Sequence, residues 1–311
     1  MKERYDYVDI AKGIGIILMV VGHTGAPRFI TNWIYAFHMP LFFILSGWLT
    51  NWNTTGFVGF CKNKVRSLLV PFMLYSISVL IVDNYLIDSV ITGGVNSWII
   101  NGWVDYALWF IPVLFFALII TKVLYVIKFE YLRVLCLLIL LVMGYVLSYK
   151  EYILPWSFSS VPYATLLVFI GSKFKYLKDI LYKMPSYCIL VFAAIVMVIS
   201  SFNRLDIAWN KILPVVPIIL AAVVGVEMVV LTAMKISNYS RDTLLKTKLI
   251  AVGRNTFPVV AYSQLVIITF NFYGSYSPLV KYPVLLILLI SFTFVKNKII
   301  SLLKTAKFIY K

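Results

Sequence analysis

Apolar stretches of about 20 residues recur along the whole sequence, and each is long enough to cross the hydrocarbon core of a bilayer. Of the 311 residues, 62% are hydrophobic and only 13% are charged, whereas soluble domains have roughly 45–50% apolar and about 25% charged residues. A soluble chain cannot bury this excess of apolar residues, because its surface must still face water. We therefore predict an all-α, polytopic membrane protein in which residues 1–311 form a single transmembrane domain.

Hydropathy windows of about 20 residues predict about ten transmembrane helices. The first is expected to be a retained span, because the apolar segment after Lys12 continues into His23 without a signal-peptide cleavage site. The predicted spans are 10–28, 33–50, 68–87, 107–127, 131–148, 161–175, 186–202, 213–234, 249–272 and 280–300.

The basic residues predict the orientation of these spans. With both termini in the cytoplasm, the inner segments hold 23 of the 28 Lys and Arg residues, and the outer loops hold five. Such an excess on the cytoplasmic side is typical of membrane proteins, so the net charge of +16 does not call for a nucleic-acid partner. The three cysteines lack CxxC spacing, and neither a metal site nor a disulfide is expected from them.

Ionisable side chains inside membrane spans are costly and usually functional. The two histidines of the chain, His23 and His38, lie in adjacent predicted spans. Imidazole exchanges protons near neutrality, so we predict a chemical role for His23. His38 either orients a partner, lines the pocket or forms a polar helix–helix contact. Glu227, in the eighth predicted span, is a candidate proton relay or hydroxyl-positioning group, with an ion pair as the alternative.

Lys12 precedes His23 by eleven residues, which on a helix is about 16 Å and close to three turns. Both side chains can therefore lie on one helix face, where a cation at the cytoplasmic mouth and an imidazole deeper in the membrane suit a long anionic ligand. The alternative for Lys12 is a snorkelling interfacial anchor. Asp9 is a candidate partner for Lys12, and the Arg66 guanidinium is a candidate clamp for phosphate oxygens.

Five short segments, in order along nearly the whole chain, carry a recognisable pattern. They are residues 9–16 with Gly22 and His23, residues 37–47, residues 64–66 with Pro71, residues 108–112 and residues 253–258. On these segments the chain resembles the acyltransferase-3 family of membrane acyltransferases. The resemblance is to the branch of fucose 4-O-acetylases and bacterial surface-polysaccharide O-acetyltransferases.

The resemblance implies about ten spans and transfer of an acyl group from cytoplasmic acyl-CoA to a hydroxyl of a sugar or glycan. Acetyl-CoA is the expected cosubstrate, and no metal is implied. The family's basic-x10-His pattern falls on Lys12 and His23, with lysine here where many members have arginine. The late helix reads Tyr262-Ser263-Gln264, without the histidine that many members carry there.

The implied site follows from these motifs. His23 is expected to act as general base on the acceptor hydroxyl, with a covalent acyl-His relay as the alternative. The other catalytic candidates are His38 and Glu227. The expected donor-binding residues are Lys12, Lys64 and Arg66, and the expected pocket residues are Asp9, Ser46, Trp109 and Asn255.

Other functions compete with this interpretation. A transporter or flippase of a lipid-linked sugar predicts inverted repeats with broken helices in matching halves, and the sequence has neither. A glycan polymerase or ligase usually needs a large outer loop, and no predicted loop here is that long. A non-catalytic sensor or scaffold is the remaining alternative. We therefore expect an O-acetyltransferase of a cell membrane, the bacterial inner membrane in particular, with a sugar or surface glycan and membrane lipids as partners.

Overall fold

A computed structural model describes residues 5–53, 56–77, 107–202, 205–239, 243–273 and 291. Within these ranges the chain forms helices and turns without a strand, apart from one isolated bridge between Asp206 and Lys211. The predicted all-α class is confirmed for this part of the chain.

The first four helices bring together most of the residues that the sequence singles out. They are α1 (Asp6–Gly22), α2 (Arg28–Tyr35), α3 (His38–Leu49) and α4 (Phe57–Lys64). Helix α4 continues through a π-helical turn, Val65–Leu69, into helical residues 70–77.

The remaining described helices begin after residue 106. Short 3-10 turns, Ala107–Trp109, Pro155–Ser160 and Phe174–Tyr176, flank some of them. They are α5 (Phe110–Val126), α6 (Glu130–Tyr149), α7 (Val161–Lys173), α8 (Lys178–Lys183), α9 (Tyr187–Phe202), α10 (Val215–Tyr239), α11 (Leu244–Arg254) and α12 (Thr256–Tyr273).

Four helical stretches are long and apolar enough to cross a membrane: Arg28–Leu49, Ala107–Val126, Glu130–Tyr149 and Val215–Asn238. Helix α6 leaves most of its surface exposed although that surface is apolar; only 11% of its apolar window is buried inside the protein. An apolar helix that exposes its side chains needs lipid around it. The protein is therefore a membrane protein.

Two predicted spans have different boundaries in the structure. The first, roughly 10–28, ends too late in the prediction, because α1 begins at Asp6 and already ends at Gly22. Gly25 follows with a positive φ of 81°, a conformation that a helix cannot continue through. The ninth, 249–272, is divided into α11 and α12 by Asn255, whose φ of −121° and ψ of 41° are not helical.

Parts of two other predicted spans lie outside the described residues. The third, 68–87, is described only as far as residue 77, and Ser291 is the sole described residue of the tenth, 280–300. The second, 33–50, contains a break at Ala36 and Phe37, where α2 ends and α3 begins. A two-residue turn therefore lies just before His38 within the membrane-length stretch Arg28–Leu49.

Glycines allow two helix pairs to pack with their backbones almost in contact. Where α1 meets α11, a side-chain carbon at Gly253 would overlap the carbonyl of Asp9. Where α3 meets α7, the overlap would be reciprocal: Gly47 faces the carbonyl of Val168, and Gly171 faces the carbonyl of Ile44. Small residues of this kind are the usual means by which membrane helices approach closely. These crossings fix α1 and α3, which carry both histidines and Lys12.

Candidate functional site

His23 lies at the C-terminal end of α1, where its backbone N–H bonds the carbonyls of Met19 and Val20 at 3.2 and 3.1 Å. Its imidazole Nδ1 is 3.1 Å from the hydroxyl of Tyr35, the last residue of α2. The carbonyls at a helix C-terminus carry partial negative charge. This position suits an imidazole that becomes positively charged when it accepts a proton.

His38 is buried at the start of α3, and its Nδ1 is 3.0 Å from the carbonyl of Ile34. Because a carbonyl oxygen only accepts hydrogen bonds, Nδ1 must carry the hydrogen. The Tyr35 ring lies 5.0 Å from the His38 ring and 5.5 Å from the His23 ring, and the two imidazoles are 6.4 Å apart, all measured between centroids. We call His23, Tyr35 and His38 the ring cluster.

A cavity of about 340 Å³ lies at the other end of the α1–α3 pair. We call it the cationic cavity, because Lys12 of α1 and Lys64 of α4 both line it, beside Ser46 of α3. The Lys64 ammonium donates a hydrogen bond of 3.2 Å to the hydroxyl of Thr50. The remaining lining residues are Leu49, Thr50, Asn51, Phe60, Asn63, Ser67, Leu68, Leu114 and Leu118.

The ring cluster and the cationic cavity are joined by two antiparallel helices. Lys12 and His23 are about 16 Å apart along α1, and Ser46 and His38 are about 12 Å apart along α3. Between the two ends, Gly15 of α1 lies against α3 near Leu41 and Phe42. One helix pair therefore carries a basic cavity at one end and two imidazoles at the other.

Lys122 of α5 forms part of the support of the cavity, although it is not among the lining residues. Its side chain is buried, donates a hydrogen bond to the carbonyl of Trp52, and lies 5.5 Å from the centre of the Phe60 ring. The Lys64 ammonium approaches the same ring at 5.3 Å. Phe60 is thus a cavity wall with two cations close to its ring, and such cation–π contacts are favourable.

Asp9 is buried in α1 and accepts a hydrogen bond of 3.1 Å from Nε of Arg254 in α11. Nη2 of Arg254 also lies 3.7 Å from a carboxylate oxygen of Asp6. These contacts tie α1 to α11 beside the Gly253 crossing. The predicted pairing of Asp9 with Lys12 stays a prediction.

The other predicted site residues lie outside the cavity lining. Arg66 is exposed in the π-helical turn, Trp109 is buried just before α5, and Glu227 is half-buried in α10. Asn255 is buried at the break between α11 and α12, where its side-chain amide donates to the carbonyl of Ala251 at 2.9 Å. Among the described residues, no three His, Cys, Asp or Glu side chains are grouped to hold a metal ion.

Sequence reasoning missed Tyr35 and Lys122. A lysine within the apolar run 107–127 is the kind of intramembrane charge that signals function, so Lys122 could have been found. Tyr35 carried no such signal, because it is one of 21 tyrosines and reaches His23 only through the chain reversal between α1 and α2.

The fold and the site define a helical membrane protein with paired imidazoles and a basic cavity on one helix pair. A family model described as an acyltransferase domain, Acyl_transf_3, matches residues 5–297. The chain therefore belongs to the acyltransferase-3 family and is a membrane acyltransferase, which confirms the family resemblance of its motifs. No curated protein and no solved structure matches the chain.

Proposed function

We propose that this acyltransferase moves an acetyl group from cytoplasmic acetyl-CoA to a hydroxyl of a sugar or surface glycan. The observation that carries the proposal is the position of the cationic cavity and the ring cluster at opposite ends of the α1–α3 pair. A donor with phosphates at one end and a thioester at the other matches this arrangement. The branch of polysaccharide O-acetyltransferases is part of the same proposal.

The donor's phosphates would bind at the cationic cavity. Lys12 and Lys64 supply two ammonium groups, and the hydroxyls of Ser46 and Thr50 supply further polar contacts. Lysine binds phosphate as a mobile point charge. The exposed Arg66 would join from outside the cavity lining, and the pantetheine arm would extend alongside the α1–α3 pair towards His23.

The chemistry would take place at His23. Its Nε2 accepts the proton of the acceptor hydroxyl while the hydroxyl oxygen attacks the thioester carbonyl carbon. The new C–O bond forms, the C–S bond breaks, and the departing thiolate takes up the proton. We propose this direct transfer in preference to an acyl-His intermediate, with Glu227, Trp109 and Asn255 as candidate residues for acceptor positioning.

The topology proposed for this reaction has about ten spans, both termini in the cytoplasm, and residues 1–311 as one domain of a bacterial inner membrane. The alternation of basic residues along the chain supports it. The shared cavity of Lys12 and Lys64 is consistent with it, since both residues fall on the inner side in this topology. A cytoplasmic donor can reach the cavity from that side.

The test is transfer of radiolabelled acetyl from acetyl-CoA to host glycan in membranes that contain the protein. We expect His23→Ala to lower kcat by about 10²–10⁴-fold, the usual contribution of a general base. We expect Lys12→Ala to raise the KM for acetyl-CoA with little change in kcat, because it removes a donor contact at the far end of α1.

Each outcome has a clear meaning. Label that reaches glycan equally well with His23→Ala would remove His23 from the chemistry. If wild-type membranes labelled no glycan and purified protein bound no acetyl-CoA, the proposed donor would be wrong. Immunoblots of the membranes must show equal amounts of each variant, so that a lost signal reports activity and not expression.

A further inference from the structure

The Tyr35 hydroxyl lies next to the imidazole of His23. Nδ1 is 3.1 Å from the Tyr35 hydroxyl. A neutral imidazole carries one hydrogen, so the nitrogen that acts as base must be the one without it. If Nδ1 carries the hydrogen, Nε2 keeps its lone pair for the acceptor.

We propose that Tyr35 is the positioning residue of His23. A phenol hydroxyl can donate or accept a hydrogen bond. Here it takes the acceptor role, because an imidazole that binds a proton at Nε2 carries its other hydrogen on Nδ1. The contact then favours the tautomer with the lone pair on Nε2 and fixes the direction of that lone pair. A hydrogen-bond partner on the ring nitrogen that does not react is a general means of orienting a functional histidine. This inference rests on the proposed function only for the role of His23 as base.

The structure holds Tyr35 itself in place from two sides. A side-chain carbon at Gly22 would lie 3.3 Å from the Tyr35 ring, so a glycine at this position lets the phenol lie against the last turn of α1. On its other side, the ring contacts His38 at 5.0 Å between centroids. The neighbouring residue Ile34 supplies the carbonyl that binds Nδ1 of His38. The end of α2 therefore positions both imidazoles.

The hydrogen bond gains strength during the reaction. When Nε2 takes the acceptor proton, the ring becomes an imidazolium and Nδ1–H becomes a charge-assisted donor, which forms stronger hydrogen bonds than a neutral one. The contact is thus more favourable in the transition state than before proton transfer, and such contacts raise kcat. Donor binding at the cationic cavity, about 16 Å away along α1, should be unaffected.

The kinetic test is Tyr35→Phe, which keeps the ring and removes only the hydroxyl. We expect kcat to fall about tenfold, the effect of losing a hydrogen bond of roughly 1.4 kcal/mol, with the KM for acetyl-CoA unchanged. Tyr125→Phe is the matched control, because it also removes a phenol hydrogen bond, one of 2.8 Å to Ser172, outside the ring cluster. It should leave kcat unchanged.

A spectroscopic test needs no activity. The chain has two histidines, so protein labelled with ¹⁵N-histidine gives separate imidazole signals for His23 and His38. We expect the wild-type His23 signal to show hydrogen on Nδ1, and Tyr35→Phe to shift it towards hydrogen on Nε2. The His38 signal should stay the same in both proteins, because the Ile34 carbonyl holds its hydrogen on Nδ1.

The two tests separate the Tyr35 proposal from the proposed function. If wild type transfers acetyl and His23→Ala does not, an unchanged kcat in Tyr35→Phe overturns the role of Tyr35 alone. If wild type transfers no acetyl, the proposed function fails. The spectrum still shows whether Nδ1 of His23 carries the hydrogen that Tyr35 is proposed to accept. Hydrogen on Nε2 of His23 in the wild-type protein overturns the proposal whatever the activity.

Discussion

The ring cluster and the cationic cavity differ in how their side chains are held. In the ring cluster, His23 and His38 each have a hydrogen-bonded ring nitrogen, and Tyr35 packs against both rings. In the cationic cavity, Lys12 and Lys64 line an open space of about 340 Å³, and the Lys64 ammonium donates a hydrogen bond to the Thr50 hydroxyl. One end of the α1–α3 pair holds two imidazoles through contacts to their ring nitrogens, and the other presents two ammonium groups to an open space.

This difference corresponds to two tasks. Proton transfer depends on a reacting atom held within a narrow range of distance and direction, whereas attraction of phosphate by an ammonium tolerates many geometries. We therefore expect changes at the ring cluster to lower kcat and changes at the cationic cavity to raise the KM for the donor. A ring-cluster variant that mainly raises KM, or a cavity variant that mainly lowers kcat, would contradict this assignment of tasks to the two regions.

After loss of His23, the largest effects are expected at Tyr35 and His38. The His38→Gln side chain places its amide beyond the position of Nδ1, so the Ile34 carbonyl loses this donor and the end of α2 is less well fixed. We expect kcat to fall about tenfold, the effect of one lost buried hydrogen bond on a positioned group. The measurement is the steady-state rate of acetyl transfer at saturating acetyl-CoA.

His38→Asn is the matched control, because its amide nitrogen can occupy the position of Nδ1 and donate to the same carbonyl. It should keep most of the activity that His38→Gln loses. The reverse order, with Gln more active than Asn, would mean that Nε2 of His38 takes part in the chemistry. In that case His38 would be a catalytic residue in its own right.

A smaller effect is expected at Lys64. We expect Lys64→Gln to raise the KM for acetyl-CoA about fivefold, close to 1 kcal/mol for one charge–phosphate contact, and to leave kcat unchanged. The rise should shrink as salt is added, because screening weakens the contact in the wild-type protein. Rates measured over a range of acetyl-CoA concentrations at two ionic strengths test both statements.

Lys62 gives the matched control for this variant, since it lies on the same helix but is exposed and outside the cavity lining. Lys62→Gln should change neither KM nor kcat. An equal rise in KM for both variants would show that general positive charge on the inner face, and not the cationic cavity, attracts the donor.

In the part of the chain that the structure describes, hydropathy located the helices well, because an apolar run in lipid must satisfy its backbone internally. It failed at helix ends, because single residues with a non-helical backbone determine where a helix stops. Examples are Gly25 after α1 and Asn255 between α11 and α12. A window of about 20 residues averages over such positions. The division of the predicted ninth span therefore could not be read from its apolar content.

The candidate site was predictable to the extent that charge inside a membrane is rare. His23 and His38 stood out because the chain has no other histidine, and the structure brings them together. Lys12, Lys64 and Ser46 were expected from motifs and share one cavity. Tyr35 could not be predicted, since its contact depends on the three-dimensional turn between α1 and α2.

The smallest effect is expected at Lys122, which supports the cationic cavity without lining it. Lys122→Met keeps the length of the side chain but removes the donor to the Trp52 carbonyl and the cation beside Phe60. We expect the KM for acetyl-CoA to rise about two- to threefold and the melting temperature to fall, since loss of one buried hydrogen bond costs about 1–3 kcal/mol.

Lys128→Met, at an exposed lysine just after α5, is the control for loss of charge and should leave both quantities unchanged. A lower kcat with unchanged KM in Lys122→Met would contradict the division of roles. It would show that a group supporting the cavity wall also controls the ring cluster. Because α3 carries both His38 and Ser46, a disturbance of the cavity could reach the ring cluster through that helix. An unchanged kcat in Lys122→Met would therefore mean that α1 and α3 hold the imidazoles firmly enough to keep their positions when the cavity wall at Phe60 is disturbed.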